Sequence, residues 1–149
     1  MKKLLGSTLL ILIFLGAVGY VPNTMQTPPG IEGTWELVNF YNYDENGNVT
    51  DTVPTTDGYR QIKMYYNGKV MWTRYVPADS IEWFGYGSYE ITDSSLTERL
   101  EYMSASMKKI ANELQEWNME LILKENAYSQ IFVDEDGNRT FSENYKRID

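Results

Sequence analysis

The sequence contains neither cysteine nor histidine, and these two absences exclude most familiar reaction chemistry. Without cysteine there is no disulfide, no thiolate nucleophile, no cysteine-bound zinc or iron–sulfur cluster and no lipid-modified cysteine. Without histidine there is no Ser-His-Asp triad, no imidazole base and no histidine-bound metal or haem. We therefore expect no cofactor and no metal site, and we do not expect an enzyme.

Basic residues are also scarce, since 13 Lys and Arg stand against 21 Asp and Glu in 149 residues, a formal net charge of −8. A protein that binds nucleic acid needs a basic surface for the phosphates, so we expect no nucleic-acid partner. Aromatic residues, in contrast, make up 14% of the chain, with 12 Tyr, 5 Phe and 4 Trp. The position of these rings is therefore the main guide to the architecture.

The first 19 residues have the three-part layout of a secretory signal peptide. A lysine pair gives a positive start, residues 4–18 are almost wholly apolar, and the small residues Ala17 and Gly19 precede a cleavage point before Tyr20. The alternative is a retained membrane anchor through residues 4–18. That segment is shorter than the roughly 20 residues needed to cross a bilayer core, and no basic cluster follows it, so we favour the cleaved signal.

Cleavage predicts an exported bacterial protein, periplasmic or secreted, with no stable membrane span in the mature chain. Residues 20–30 contain three prolines and are interpreted as a flexible tether. Residues 31–149 have the length of one domain that can bury its own core. The lack of cysteine in an exported chain indicates that packing rather than disulfide bonds stabilises it.

From Ile31 onward, aromatic and β-branched segments alternate with turn signals. Asn67-Gly68 is the strongest two-residue hairpin signal, and Asp44–Asn48 and Asp134–Asn138 are turn-rich acidic segments. The last of these lacks the ligand spacing of a calcium loop, so it is interpreted as a hairpin tip. The predicted strands are residues 33–43, 49–53, 59–66, 69–76, 83–92, 96–103, 119–124, 127–133 and 139–148. Eight to nine antiparallel strands at this spacing predict an all-β barrel or sandwich.

Residues 104–117 do not follow the strand pattern. Apolar residues fall at helical spacing, with charged residues elsewhere around the helix, and either Ser104 or Ser106 can cap it. The apolar positions are Met107, Ile110, Ala111 and Leu114. This pattern predicts a short amphipathic helix at about 104–117, either against the barrel wall or across an open end.

A two-residue loop at Asn67-Gly68 gives the flanking strands two faces, neither of them plainly polar. One face carries Ile62, Met64, Tyr66, Met71 and Tyr75. The other carries Lys63, Tyr65, Val70, Trp72 and Arg74. Three interpretations remain open: a cavity lined by aromatic and polar groups, an outer face covered by the helix or a partner, and a tyrosine-rich core.

The candidate ligand-binding residues follow from these faces. They are the side chains that would face inward together on three strands: Tyr41, Trp72, Arg74, Glu98, Leu100 and Tyr102. Arg74 and Glu98 would either orient the polar head of a ligand or form a structural ion pair at the rim. Glu98 and Glu101 are three residues apart on one strand, so they face opposite sides and cannot form a catalytic pair.

The two ends of the domain resemble lipocalin-like (calycin) barrels. Gly33-Thr34-Trp35 resembles the Gly-x-Trp signature of these barrels, and Tyr145-Lys146-Arg147 resembles their last strand, where an arginine packs over that tryptophan. Three internal segments look like a small exported bacterial family, common in Bacteroidetes and of unassigned function: residues 70–75, 85–89 and 96–102. The resemblance implies an antiparallel lipocalin-like barrel of eight to nine strands, closed at one end by Gly33, Trp35 and Arg147.

The function expected from these observations is that of an exported small-molecule-binding protein whose ligand is apolar or aromatic. The alternative is a structural or interaction module of the cell envelope, with a filled barrel that contacts protein or glycan through surface aromatics such as Trp83, Phe84 and Tyr86. An open cavity favours binding, and a solid core with an exposed aromatic patch favours the interaction module. Gly85-Tyr86-Gly87 predicts a bulge or a close backbone approach.

Overall fold

The computed structural model describes residues 30–111 and 115–149 of the chain. The predicted signal peptide, residues 1–19, and all but the last residue of the predicted tether lie outside these ranges. The described residues form nine strands and one helix: β1 Gly33–Tyr43, β2 Val49–Pro54, β3 Arg60–Tyr66, β4 Lys69–Tyr75, β5 Trp83–Ile91, β6 Ser95–Met103, α1 Ala105–Ala111, β7 Glu116–Leu123, β8 Ala127–Val133 and β9 Arg139–Arg147.

The strands form one antiparallel sheet that closes on itself. From β3 to β9 each strand pairs with the next along the chain, and β9 then pairs with β1. The first residues of β1 pair with β3, whereas its last residues pair with β2, which lies outside the ring. The result is an eight-stranded barrel, β1 and β3–β9, with one additional outer strand, which confirms the predicted fold class.

The hairpin between β3 and β4 has the predicted register. Asn67 and Gly68 have φ angles of 48° and 72°, the left-handed conformation that a tight two-residue hairpin turn requires at both positions. Met64 accordingly lies opposite Met71, and Lys63 opposite Trp72. The side with Lys63 and Trp72 faces the barrel interior, so the other side faces outward.

The two acidic turns have the same local structure. Asp44 follows β1 and Asp134 follows β8, and in each turn the aspartate carboxylate accepts backbone N–H bonds from the residues two and four positions later. These bonds hold the pKa of both aspartates below the usual value. The acidic side chain therefore shapes each hairpin tip through its own backbone.

Register shifts interrupt four of the ladders. Two of them lie beside the acidic turns, and the other two are bulges within β1 and β6. In β1, Leu37 lies opposite Tyr145 and Asn39 opposite Asn144, so Val38 has no partner in β9. In β6, Glu101 is the unpaired residue, because Tyr86 pairs with Tyr102 and Gly87 with Leu100. The irregularity predicted at Gly85-Tyr86-Gly87 is therefore confirmed. Each extra residue reverses the alternation of inward and outward side chains beyond it.

The helix forms where predicted but ends earlier. The Ser104 hydroxyl accepts the backbone N–H of Met107, which makes Ser104 the N-cap of α1, and Ala111 is buried. Trp117, which the pattern assigned to the helix, belongs to β7 instead. Its alternation with the buried residues Met119 and Leu121 has the period of a strand, and that period prevails. Leu114 of the predicted helix lies outside the described residues.

Candidate functional site

The two halves of the barrel interior differ in how they are filled. Around the start of β1 and the end of β9, aromatic side chains pack directly on one another. Tyr128 is stacked on Tyr145 with ring centroids 4.7 Å apart, and it meets Trp35 edge-to-face at 4.9 Å. In the other half the walls separate around a cavity of about 190 Å³. This cavity is the candidate functional site.

Tryptophan side chains form much of the cavity wall. Three of the four tryptophans of the chain, Trp72, Trp83 and Trp117, line it from three different strands. A Cβ added at Gly85 would lie 2.6 Å from Nε1 of Trp72, so this glycine makes room for the indole ring. The remaining apolar lining comes from four elements: Leu100, Met107, Ile110, Met119 and Phe132.

The first charged pair of the cavity is fully engaged by its neighbours. Nζ of Lys63 lies 2.8 and 3.0 Å from the two carboxylate oxygens of Glu98, and it also donates to Oε1 of Gln130 at 2.8 Å. The Tyr65 hydroxyl donates to Glu98 at 2.5 Å. Lys63 and Glu98 are only 3% and 5% exposed. All three ammonium protons thus have acceptors, which offsets the cost of burying the charges.

The second charged pair is looser. Nη2 of Arg74 lies 3.7 Å from Oε1 of Glu143, beyond hydrogen-bond distance, while its Nε donates to Oε1 of Gln61 at 2.8 Å. The other carboxylate oxygen of Glu143 accepts three bonds, from the Gln61 and Gln130 amides and from the Tyr145 hydroxyl. The Arg74 guanidinium also lies over the ring of Trp83, 5.7 Å from its centroid. Both pairs lie among aromatic rings, as cation–π attraction favours.

Burial keeps the tyrosines of this network protonated. It raises the pKa of Tyr65, Tyr128 and Tyr145 well above 10, and that of Tyr59 to about 12. Tyr65 and Tyr145 can therefore donate to the two glutamates over the whole physiological range. Two cations and two carboxylates balance within the cavity lining. Among the described residues, every buried side-chain nitrogen and oxygen has a hydrogen-bond partner.

At the filled end, Arg147 covers Trp35. The guanidinium carbon lies 4.1 Å from the indole centroid, and the Nη atoms donate to the carbonyls of Glu32 and Gly30 at 2.7 and 3.0 Å. Gly33 has a φ of 137°, which other residues rarely adopt, and a Cβ there would come within 2.1 Å of Nη1 of Arg147, so the position favours glycine. Arg147 therefore lies against both Gly33 and Trp35, the other two residues that the family resemblance implied as a barrel closure.

Two solved structures are similar to this one. A lipocalin-like protein from Bacteroides uniformis aligns with a TM-score of 0.50 and 10% identity, covering 78% of this chain and 97% of that one. This chain has a lipocalin-like fold. An uncharacterized protein from Bacteroides eggerthii aligns with a TM-score of 0.48 and 15% identity, over 78% and 98% of the two chains. No protein-family model and no curated protein matches the sequence, so the likeness concerns the fold alone.

Four of the six candidate ligand-binding residues line the cavity of the lipocalin-like barrel: Trp72, Arg74, Glu98 and Leu100. The expected pairing of Arg74 with Glu98 is wrong. Glu98 pairs with Lys63 across the barrel, and Arg74 lies beside Glu143 instead.

The other two candidates face outward, and in both cases a bulge is the reason. The unpaired Glu101 turns Tyr102 to the outer face, where it is 65% exposed and packs near Phe84. The unpaired Val38 has the same effect in β1: Phe40 packs against the core, while Tyr41 lines an outer depression beside β8 and β9. The prediction that Tyr41 and Tyr102 face inward is therefore wrong.

Sequence reasoning missed four polar residues of the interior: Gln61, Lys63, Gln130 and Glu143. The hairpin register had placed Lys63 on the same face as Trp72, so that signal was present. Glu143 lies two residues before Tyr145 in the last strand and so shares its face, which is a weaker signal.

None of the helices in the described ranges has the length and apolarity to cross a bilayer.

Proposed function

We propose that the protein binds a small, largely apolar or aromatic molecule inside its barrel. The observation that carries this proposal is the tryptophan-lined cavity of about 190 Å³ in one half of an otherwise filled interior. Pockets for drug-sized molecules measure about 300–1,000 Å³, so the ligand is smaller, with one or two rings. Indole rings supply flat, rigid contact area, and Arg74 and Glu143 supply polar groups that fix its orientation.

The test is a binding measurement with a variant that fills the cavity. Native mass spectrometry of the purified protein, together with tryptophan fluorescence on adding one- and two-ring aromatics, reports occupancy. Leu100→Trp places an extra ring in the cavity, whereas Ile122→Trp adds the same ring at an exposed position in β7. Binding to the wild type and to Ile122→Trp, with loss in Leu100→Trp, supports the proposal. Equal binding by both variants, or no binding at all, refutes it.

A binding role is favoured over catalysis by the state of the buried carboxylates. Glu98 is held by Lys63 and Tyr65, and one oxygen of Glu143 accepts three hydrogen bonds. A general base needs a free oxygen next to the reacting proton, which Glu98 lacks, and the free oxygen of Glu143 faces the Arg74 guanidinium, with Nη2 3.7 Å away.

A second candidate function is contact with another envelope protein or a glycan. It is favoured by an apolar depression on the outer face of β3–β6, lined by Met64, Met71, Phe84, Tyr86 and Tyr102. Trp83 does not belong to this surface, since it lines the cavity. Met71→Lys would abolish such contact and leave ligand binding intact, whereas Leu100→Trp would have the opposite effect.

We also propose that the chain is exported, on the strength of the signal-like layout of residues 1–19. Expression of the full chain in a bacterial host, followed by fractionation and intact-mass measurement, tests this. An envelope or medium fraction whose mass lacks residues 1–19 supports export. Full-length protein in the cytoplasm contradicts export, and full-length protein in the membrane favours the anchor.

A further inference from the structure

The two charged pairs of the cavity differ in how much hydrogen-bonding capacity they have left. Lys63 uses all three of its protons, and both oxygens of Glu98 accept bonds. This pair has no donor to spare and is a fixed part of the wall. The second pair is different, because Arg74 uses only Nε, for Gln61. Within the described part of the chain its Nη groups have no acceptor at hydrogen-bond distance.

Glu143 has an unused acceptor, which complements the unused donors of Arg74. Its Oε2 accepts bonds from Gln61, Gln130 and Tyr145, but Oε1 has only the Nη2 of Arg74 at 3.7 Å. An unused donor and an unused acceptor therefore lie side by side at the edge of the cavity. Arg74 and Glu143 are partly accessible, with 30% and 11% of their side chains exposed, so a ligand can reach both.

We propose that this pair recognises a neutral planar edge with an adjacent acceptor and donor, as in a carboxamide or lactam attached to an aromatic ring. The ligand carbonyl would accept from a guanidinium N–H of Arg74, and its N–H would donate to Oε1 of Glu143. Trp83, whose ring lies under the guanidinium, would stack beside the ligand. This inference rests on the proposed function, and it specifies the chemical class of the ligand.

The balance of charge argues against ionic ligands. A carboxylate would be attracted by Arg74 but repelled by Glu143, and an ammonium group would meet the reverse situation. A purely apolar ring would leave both polar groups without partners after excluding water from them, which is a costly state. A neutral amide edge satisfies both groups at once.

Three compounds of nearly equal shape test the inference on the protein purified after expression of the full chain. They are naphthamide, which has the amide edge, naphthoate, which is anionic, and methylnaphthalene, which is apolar. Isothermal titration calorimetry is expected to give naphthamide roughly tenfold or more tighter binding than either of the others. Comparable or tighter binding of naphthoate or methylnaphthalene overturns the inference but leaves the proposed function standing. Binding of none of the three overturns both.

A variant provides an independent test. Glu143→Gln keeps the shape and removes the negative charge beside Arg74, so naphthoate should gain affinity and naphthamide should not, reversing their order. Arg99→Gln is the control, because Arg99 forms an exposed ion pair with Glu116 away from the cavity and should leave all affinities unchanged. An unchanged order of ligands in folded Glu143→Gln contradicts the proposed recognition. Should that variant not fold, Arg74→Gln is expected to lose the preference for naphthamide over methylnaphthalene.

Discussion

At the scale of single residues, the Lys63 ammonium group is buried inside the barrel, and burying a charge there has a large desolvation penalty. The Glu98 carboxylate offsets this penalty. Gln130 accepts a further proton of Lys63, and the Tyr65 hydroxyl donates to Glu98. Such an ion pair adds little to stability compared with an apolar replacement of both residues. Removing only one partner is nevertheless strongly destabilising, because the other charge stays buried without a counter-charge. The same hydrogen bonds fix the positions of three side chains of the cavity lining, Lys63, Glu98 and Gln130.

We expect Lys63→Met to lower the free energy of unfolding by about 3–5 kcal/mol, because it leaves the Glu98 carboxylate buried without its cation. Denaturant unfolding measures the change. Lys63→Met/Glu98→Gln should recover a substantial part of the loss. The control is Lys69→Met, which breaks the exposed pair with Glu101 and should change little. Equal effects at the two lysines would show that Lys63–Glu98 is not a buried pair.

At the scale of strands and helices, the glycines of β5 define where side chains and backbones approach closely. A Cβ added at Gly87 would lie 2.0 Å from the carbonyl oxygen of Arg99, a backbone atom that cannot move without disturbing β6. The contact occurs beside the bulge at Glu101. Gly87 is therefore required by the packing of two backbones.

Gly87→Ala is expected to lower the free energy of unfolding by about 2 kcal/mol or more, since the added methyl forces the strands apart. Thermal or denaturant unfolding measures this. Gly30→Ala is the matched control, because nothing lies within 4 Å of the added carbon, and its stability should stay close to wild type. A neutral Gly87→Ala would contradict the close approach of β5 and β6.

The strands and hairpins were predictable because their signals are local. Alternation of side chains, Asn67-Gly68 and the acidic turns each act within a few residues. The bulges at Val38 and Glu101 are not local in this sense, since an unpaired residue is defined by the partner strand. Gly85-Tyr86-Gly87 indicated one bulge, but nothing in β5 says that the extra residue, Glu101, belongs to β6. No residue near Val38 indicated the other.

The candidate site was predictable only in part, for a similar reason at the scale of the whole molecule. The face of each strand follows from its own sequence, which is how Trp72 and Leu100 could be assigned to the interior. Lys63 and Glu98 lie on β3 and β6, which are not neighbours in the sheet. Their contact crosses the lumen and exists only because β1 and β9 close the ring.

The tyrosine-rich interior predicts sensitivity to alkaline pH. Tyr65, Tyr128 and Tyr145 have pKa values well above 10 in the folded barrel, because burial disfavours the phenolate, but ordinary values near 10 when unfolded. Below pH 10 both states carry the protons, and stability is unaffected. Above pH 10 the unfolded state loses protons that the folded state retains, so stability falls as pH rises.

Three such groups should lower the free energy of unfolding by up to about 4 kcal/mol per pH unit above pH 10. Denaturant unfolding between pH 8 and 11.5 (roughly the useful range) measures this slope. Tyrosinate absorbance provides the control, because the three buried tyrosines should ionise only as the protein unfolds. Stability that is flat through pH 11 would mean that the buried tyrosines ionise in the folded state.

The ladder between β1 and β9 joins the two ends of the domain, and this determines the order in which the barrel can assemble. Arg147 bonds to Glu32 across 115 positions of sequence, whereas most other ladders join strands that follow one another in the chain. Contacts between distant residues require the chain entropy of the whole loop to be lost first, so we expect this ladder to form after the rate-limiting barrier.

Leu37→Ala in β1 should then mainly accelerate unfolding, and Val70→Ala in β4 should mainly slow refolding, as stopped-flow chevron plots would show. The reverse assignment would mean that the ring closes early. If closure is late, the cavity exists only once the final ladder forms, and ligand binding should slow unfolding without accelerating refolding.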